Sequence, residues 1–254
     1  FQPTEPRDGL HLNSENEKNK VEEEANQRLM EEASNLIFDF LENNLAGIQS
    51  PHLFAEINFA VISDDQDLNK YFVGLKEKWT TKFRSLPFVE TLTGCISAQE
   101  AVFIDSNVIN GTEPQTLTAI YNIVGKFYPN IPKPDLIPNW TKLTDEWNVT
   151  DVTRICFSDI AEKIQEQGTI DSFVKTELIL LYKEMIRKGE ADLFVNKALM
   201  PNIKGQFKKH CELSRSVDLT EELIPLADII NPKISNRQID AEFLLEGLDF
   251  EPFG

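Results

Sequence analysis

Residues 171–189 read DSFVKTELILLYKEMIRKG, and the fold class turns on this stretch. Asp171 is placed to cap a first turn. Phe173, Val174, Leu178, Leu181, Met185 and Ile186 recur at helical spacing, and Ile179, Leu180 and Tyr182 widen that stripe nearly all round the cylinder. A helix apolar on most sides is a buried one. Arg187 and Lys188 complement the negative end of the helix dipole, and Gly189 is the expected left-handed stop. The spacing predicts a central core helix of an all-α protein.

The flanking chain supports helices in both directions. Five capping-box spacings occur, at Ser14-x-x-Glu17, Ser97-x-x-Glu100, Thr112-x-x-Gln115, Asp218-x-x-Glu221 and Ser235-x-x-Gln238. The first predicts a long helix to about Asn44, charged in its first half and carrying Leu29, Ala33, Leu36, Ile37, Phe40 and Leu41 as the packing face of its second. Ser50-Pro51 opens a short helix, Asp64-Asp65 another to about Phe83, and Pro87–Thr93 reads as a helical turn stopped by Gly94. Further helices are expected over AVFI behind the Ser97 box, from the Thr112 box with Pro114 in its first turn to Phe127, over Thr141–Trp147, from Asp151 to Gly168, over Glu190–Met200 and Asn202–Leu213, and at LIPLADII and IDAEFLLEGL. Together they predict a layered multi-helix fold, an irregular stack of helical hairpins of the HEAT or MIF4G kind by analogy of architecture only. No internal repeat of that period is present.

Residues 129–138, PNIPKPDLIP, carry four of the thirteen prolines, and residues preceding proline favour extended geometry. They read as a connector between two helical halves, 14–128 and 139–247. Residues 1–13 read as a flexible arm and 248–254 as an acidic-aromatic tail.

Charge excludes some functions. The 254 residues have a formal charge of −17, which opposes binding to nucleic acid and to anionic lipid. No apolar run exceeds about five residues, against the roughly twenty of a membrane-spanning helix. Within the acidic whole, residues 183–210 hold seven basic and three acidic groups, a basic belt between acidic ends. Cys95, Cys156 and Cys211 are odd in number and widely spaced, so no disulfide framework is expected. The chain reads as intracellular, cytoplasmic or nuclear. The sequons at Asn110, Asn139 and Asn148 keep a secreted glycoprotein, or a binder of an apolar ligand, as the alternative.

No catalytic motif withstands inspection. Asp65, Asp67 and Asn69 match the opening of an EF-hand loop, but Lys70 and Lys76 stand where glycine and glutamate are needed. His11, His52 and His210 are too dispersed for a zinc site, so neither metal nor cofactor is expected. His210-Cys211 are helix neighbours that point about 100° apart. Val124-Gly125-Lys126 lacks the rest of a phosphate-binding loop. An enzyme would have to assemble its site from dispersed carboxylates or Cys211.

The function that remains is a non-enzymatic scaffold or adaptor that binds other proteins. Lys197, Lys204, Lys208 and Lys209 are the expected contacts of the basic belt for an acidic partner segment. Phe250 and Phe253 are the expected anchors of the tail, packed on an apolar groove of this chain or of a partner.

Overall fold

The stretch that orders the chain is shorter as a helix than its composition suggests. In the computed structural model, which describes residues 20–44, 66–87, 89–133, 152–215 and 223–252, Ile170–Ser172 is a turn of 3-10 helix and Phe173 and Val174 are extended. The α-helix covers Lys175–Arg187 only. Asp171 does not cap it; its carboxylate accepts from the Thr169 hydroxyl at 3.1 Å. Leu178, Leu181, Tyr182 and Met185 are fully buried, as the spacing predicts.

The chain forms two units, residues 1–102 with 135–153 and residues 103–134 with 154–254. In the first, α1 (Lys20–Asn44) lies against α2 (Gln66–Ser85). Phe38 meets Trp79 with ring centroids 4.8 Å apart. The indole N–H donates to Ser34 Oγ at 3.2 Å, and that hydroxyl donates back to Met30 O. Lys82 pairs with Glu42 at 3.0 Å beside the same contact.

The expected helical turn at Pro87–Thr93 is instead a hairpin. Strands β1 (Val89–Thr91) and β2 (Gly94–Ile96) pair antiparallel, with Thr91 opposite Gly94. Gly94 has φ 127°, which a side chain rarely adopts, and Thr91 Oγ1 donates to Gly94 O at 2.7 Å. The Ser97 and Glu100 capping bonds do form, and they hold the Glu100 carboxyl below its ordinary pKa. They close a single turn. The apolar run that follows is strand β3 (Val102–Ile104), buried at every position, and a run buried on both faces has no alternation by which sequence could tell it from helix.

The second unit is built around that core helix. Asp105 caps α3 (Ser106–Ile109) by accepting from Asn107 N–H at 2.8 Å. Pro114 occupies the first turn of α4 (Pro114–Phe127), which buries Ala119, Ile120, Ile123 and Val124. Strand β4 (Thr153–Ile155) pairs with β3 and runs into α5 (Phe157–Gln167), which Gly168 ends in the left-handed conformation. The helix from Asp151 expected there therefore starts only at Phe157. Lys175–Arg187 is α6 and packs along α4.

Beyond α6 the helical reading fails most. Glu190–Met200 shortens to α7 (Asp192–Asn196), and Asn202–Leu213 is no helix. Strands β5 (Met200–Pro201) and β6 (Phe207–Lys208) form a second hairpin. Its turn is local chemistry: Asn202 Oδ1 accepts from the N–H groups of Lys204 and Gln206, and Gly205 takes φ 75°. Backbone bonds from Ile170 to Gly205 and from Ile203 to Gln238 fasten the hairpin on both sides. Next come α8 (Ile224–Ile230) and α9 (Pro232–Arg237), capped by Asn231 with Ser235 buried inside it, and a single 3-10 turn over Ala241–Phe243 where IDAEFLLEGL was expected to be helical.

The all-α expectation is thereby overturned. Among the described residues the fold is predominantly helical but mixed, with three two-stranded sheets, and the analogy with stacked helical hairpins falls with it. The helix starts expected at Ser14, Ser50, Thr141 and Asp218 lie outside the described residues, as do 134–138 of the proline-rich stretch.

Candidate functional site

The most polar buried feature is on α6. Glu184 accepts from the Thr112 hydroxyl at 2.7 Å, from Arg187 Nε at 2.7 Å and from Arg187 Nη2, with Lys188 Nζ 3.9 Å away. Arg187 Nη2 also donates to Gly111 O, so one guanidinium ties the loop before α4 to the end of α6. The arginine hydrogen bond is the main cause holding the Glu184 carboxyl below its ordinary pKa. A carboxylate so fully engaged is poorly suited to proton transfer, which needs a group poised near the working pH. Beside it a cleft of about 300 Å³ is lined by Gly111, Glu113, Thr116, Leu180, Lys183, Glu184 and Arg187.

This cleft was not legible from the sequence. Thr112 read as a helix cap, yet its one hydroxyl proton is shared between Val108 O and the Glu184 carboxylate, and Glu113 is the residue at the cap position. The Glu113-Pro114 dipeptide was the local signal: proline in a first turn puts the cap immediately before it.

The basic belt does not lie on one element. Lys183, Arg187 and Lys188 are on or just past α6, and Lys188 donates to the carbonyls of Asn107 and Asn110 at the end of α3. Lys197 lies 3.7 Å from Glu162 of α5. Lys204 and Lys208 are on the hairpin, and Lys209 precedes the 3-10 turn His210–Glu212, with its N–H donating to Glu212.

The tail lies against its own unit as far as it is described. Leu245 is buried, Phe250 stacks on His210 with centroids 4.4 Å apart, and Arg215 N–H donates to Glu251 O at 2.9 Å. Phe253 lies outside the described residues. His210 and Cys211 share a 3-10 turn, and the His210 ring faces Phe250.

Other sequence features resolve into local structure. Lys126 of Val124-Gly125-Lys126 is inside α4, donates to Ser172 O at 2.6 Å and lies over the Phe173 ring. Asp67 and Asn69 fall in the first turn of α2. No metal-ligand cluster occurs among the described residues, and all three cysteines are exposed and unbridged. Asn110 is exposed at the end of α3; Asn139 and Asn148 lie outside the described residues. No described helix is long and apolar enough to cross a membrane.

One surface departs from the sequence expectation more than any other. On α1 the buried positions are Asn26, Ser34, Phe38 and Leu41. Leu41 of the expected packing stripe is buried, but the rest of the stripe faces outward: Leu36 is 69% exposed, Phe40 61%, Ile37 43% and Leu29 39%. A smaller ridge on and just before α8, Leu223, Leu226, Ile229 and Ile230, is exposed as well. Comparison with protein-family models, curated proteins and solved structures finds no match.

Proposed function

We propose that this protein is a non-enzymatic interaction module whose main contact surface is the outward apolar face of α1. The observation that carries the reading is the second apolar face of that helix, which buries Asn26, Ser34, Phe38 and Leu41 while presenting Leu29, Leu36, Ile37 and Phe40 to solvent. Scattered exposed apolar residues need no explanation, but a continuous stripe along a helix marks a site of association.

The occupant that fits is an amphipathic helix of a partner protein. Leu29, Ala33, Leu36 and Phe40 are spaced four, three and four residues apart, the seam that two packed helices share. Seven acidic and two basic residues on α1 favour a partner helix flanked by lysine and arginine. The hairpin lysines Lys204, Lys208 and Lys209 are a separate surface for an acidic partner segment, and the tail phenylalanines Phe250 and Phe253 remain proposed anchors on an apolar groove.

A photo-crosslinking residue in place of Leu36 tests the main reading. The crosslink should fall on the apolar face of a basic-flanked partner helix and disappear when Phe40→Glu is added. A crosslink to a second copy of this chain would assign the face to self-association. Absence of any specific crosslink would overturn the proposal.

A further inference from the structure

The cleft between α4 and α6 holds polar groups that the fold leaves uncommitted. Thr116 is only 8% exposed, and it lines the cleft. Its hydroxyl has no hydrogen-bond partner among the described residues and is not sealed from solvent, so it is available to a molecule in the cleft. Lys183 has no ion-pair partner among the described residues. Arg187 commits Nε and Nη2 to Glu184 and Gly111, which leaves Nη1. Glu113 makes no side-chain cap, so the first-turn amides of α4 lack that acceptor, and its carboxylate acts on Arg187 through charge alone.

These groups have both signs. A simple anion would gain Lys183, Arg187 Nη1 and the positive end of α4, but it would face Glu113 and Glu184 in the same cleft and a chain of net charge −17. A simple cation would meet Lys183 and Arg187. A ligand with both a carboxylate and an ammonium is opposed by neither. The volume of about 300 Å³ is at the small end for ligand clefts, and Leu180 supplies one apolar wall.

We infer that this cleft binds a small zwitterion of the amino-acid class. Its carboxylate is held by Lys183, Arg187 Nη1 and the start of α4, its ammonium by Glu113, and its side chain lies against Leu180. The Thr116 hydroxyl completes the site by donating to the carboxylate. Glu184 is a positioning residue, since it holds Arg187 in place and touches no ligand.

The test is a titration of the full chain by amide NMR, with L-leucine, glycine, acetate, ethylamine and inorganic phosphate in separate arms. L-leucine should give saturable shifts at Thr116 and Lys183 by ~10 mM, well above a dissociation constant of about 1 mM. Acetate and ethylamine should bind at least about tenfold more weakly, and Thr116→Val and Lys183→Ala should each weaken L-leucine by a similar factor. Glu113→Gln gives a third reading should either variant lose its folded spectrum. Failure of both amino acids to saturate would overturn the inference. So would acetate or phosphate binding as tightly as L-leucine, which marks a plain anion site, or affinity unchanged in the folded variants.

Discussion

Gly247 lies so close to Ile186 of α6 that a Cβ at position 247 would stand 2.9 Å from Ile186 Cγ2. The glycine also has φ 92°, so a side chain there is opposed by backbone and neighbour alike. Gly247→Ala is expected to cost about 1–3 kcal/mol. Because Phe250 and Glu251 follow directly, the change should also loosen their contacts with His210 and Arg215. Hydrogen exchange at Arg215 N–H, which donates to Glu251 O, reads this out. Unchanged stability with unchanged exchange would show that the tail is not held at this point.

Glu184 makes stability depend on pH in a definite direction. Its folded carboxyl is held below the ordinary 4.5, chiefly by Arg187, so the unfolded chain binds a proton there more readily. The stabilisation is fully present above about 4.5 and is lost as pH falls through the lower folded value. Glu184→Gln should cost about 1–3 kcal/mol at neutral pH by leaving Arg187 poorly matched. The difference from the parent should shrink in urea titrations carried out at successively lower pH. A difference constant down to strongly acid pH would contradict the assignment.

The two faces of α1 should respond oppositely to truncation. Phe38→Ala removes the ring that meets Trp79 and should cost about 3–5 kcal/mol. Phe40→Ala, on the outward face, should stay within about 0.5 kcal/mol of the parent. Equal costs at both sites by urea unfolding would mean that both faces are covered.

Charge reversal at the β5–β6 hairpin tests the second proposed surface. Changing Lys204, Lys208 and Lys209 to glutamate should slow association with an acidic partner segment and flatten its salt dependence, because rim charges act mainly through steering. Stopped-flow kinetics identical to the parent at low and high salt would remove these lysines from the interface.

Much of the helical part was legible. Pro114 in a first turn, the period through Leu117, Ile120 and Val124, and the glycine stop at Gly168 are local signals, and the structure keeps them. The strands were not legible because each pairing is two or three residues long, too short for alternation. The Asn202 and Gly205 turn carried a readable hairpin signal, yet it was hidden by surrounding residues that also suit a helix. The cleft was invisible because its two walls are some 70 residues apart in sequence, as the Thr112–Glu184 bond shows.

By itself the sequence determined some helix ends: proline in the first turn at Pro114 and the glycine stop at Gly168. Each acts through the backbone of its nearest neighbours and needs no distant contact. Which face of a helix is buried is a different kind of question. On α1 both the Leu36 side and the Phe38 side are apolar enough to pack, and α2 decided between them by placing Trp79 where its ring meets Phe38 and its N–H reaches Ser34. A buried indole needs an acceptor as well as an apolar neighbour, and the Ser34 side of α1 supplies both in Ser34 Oγ and Phe38.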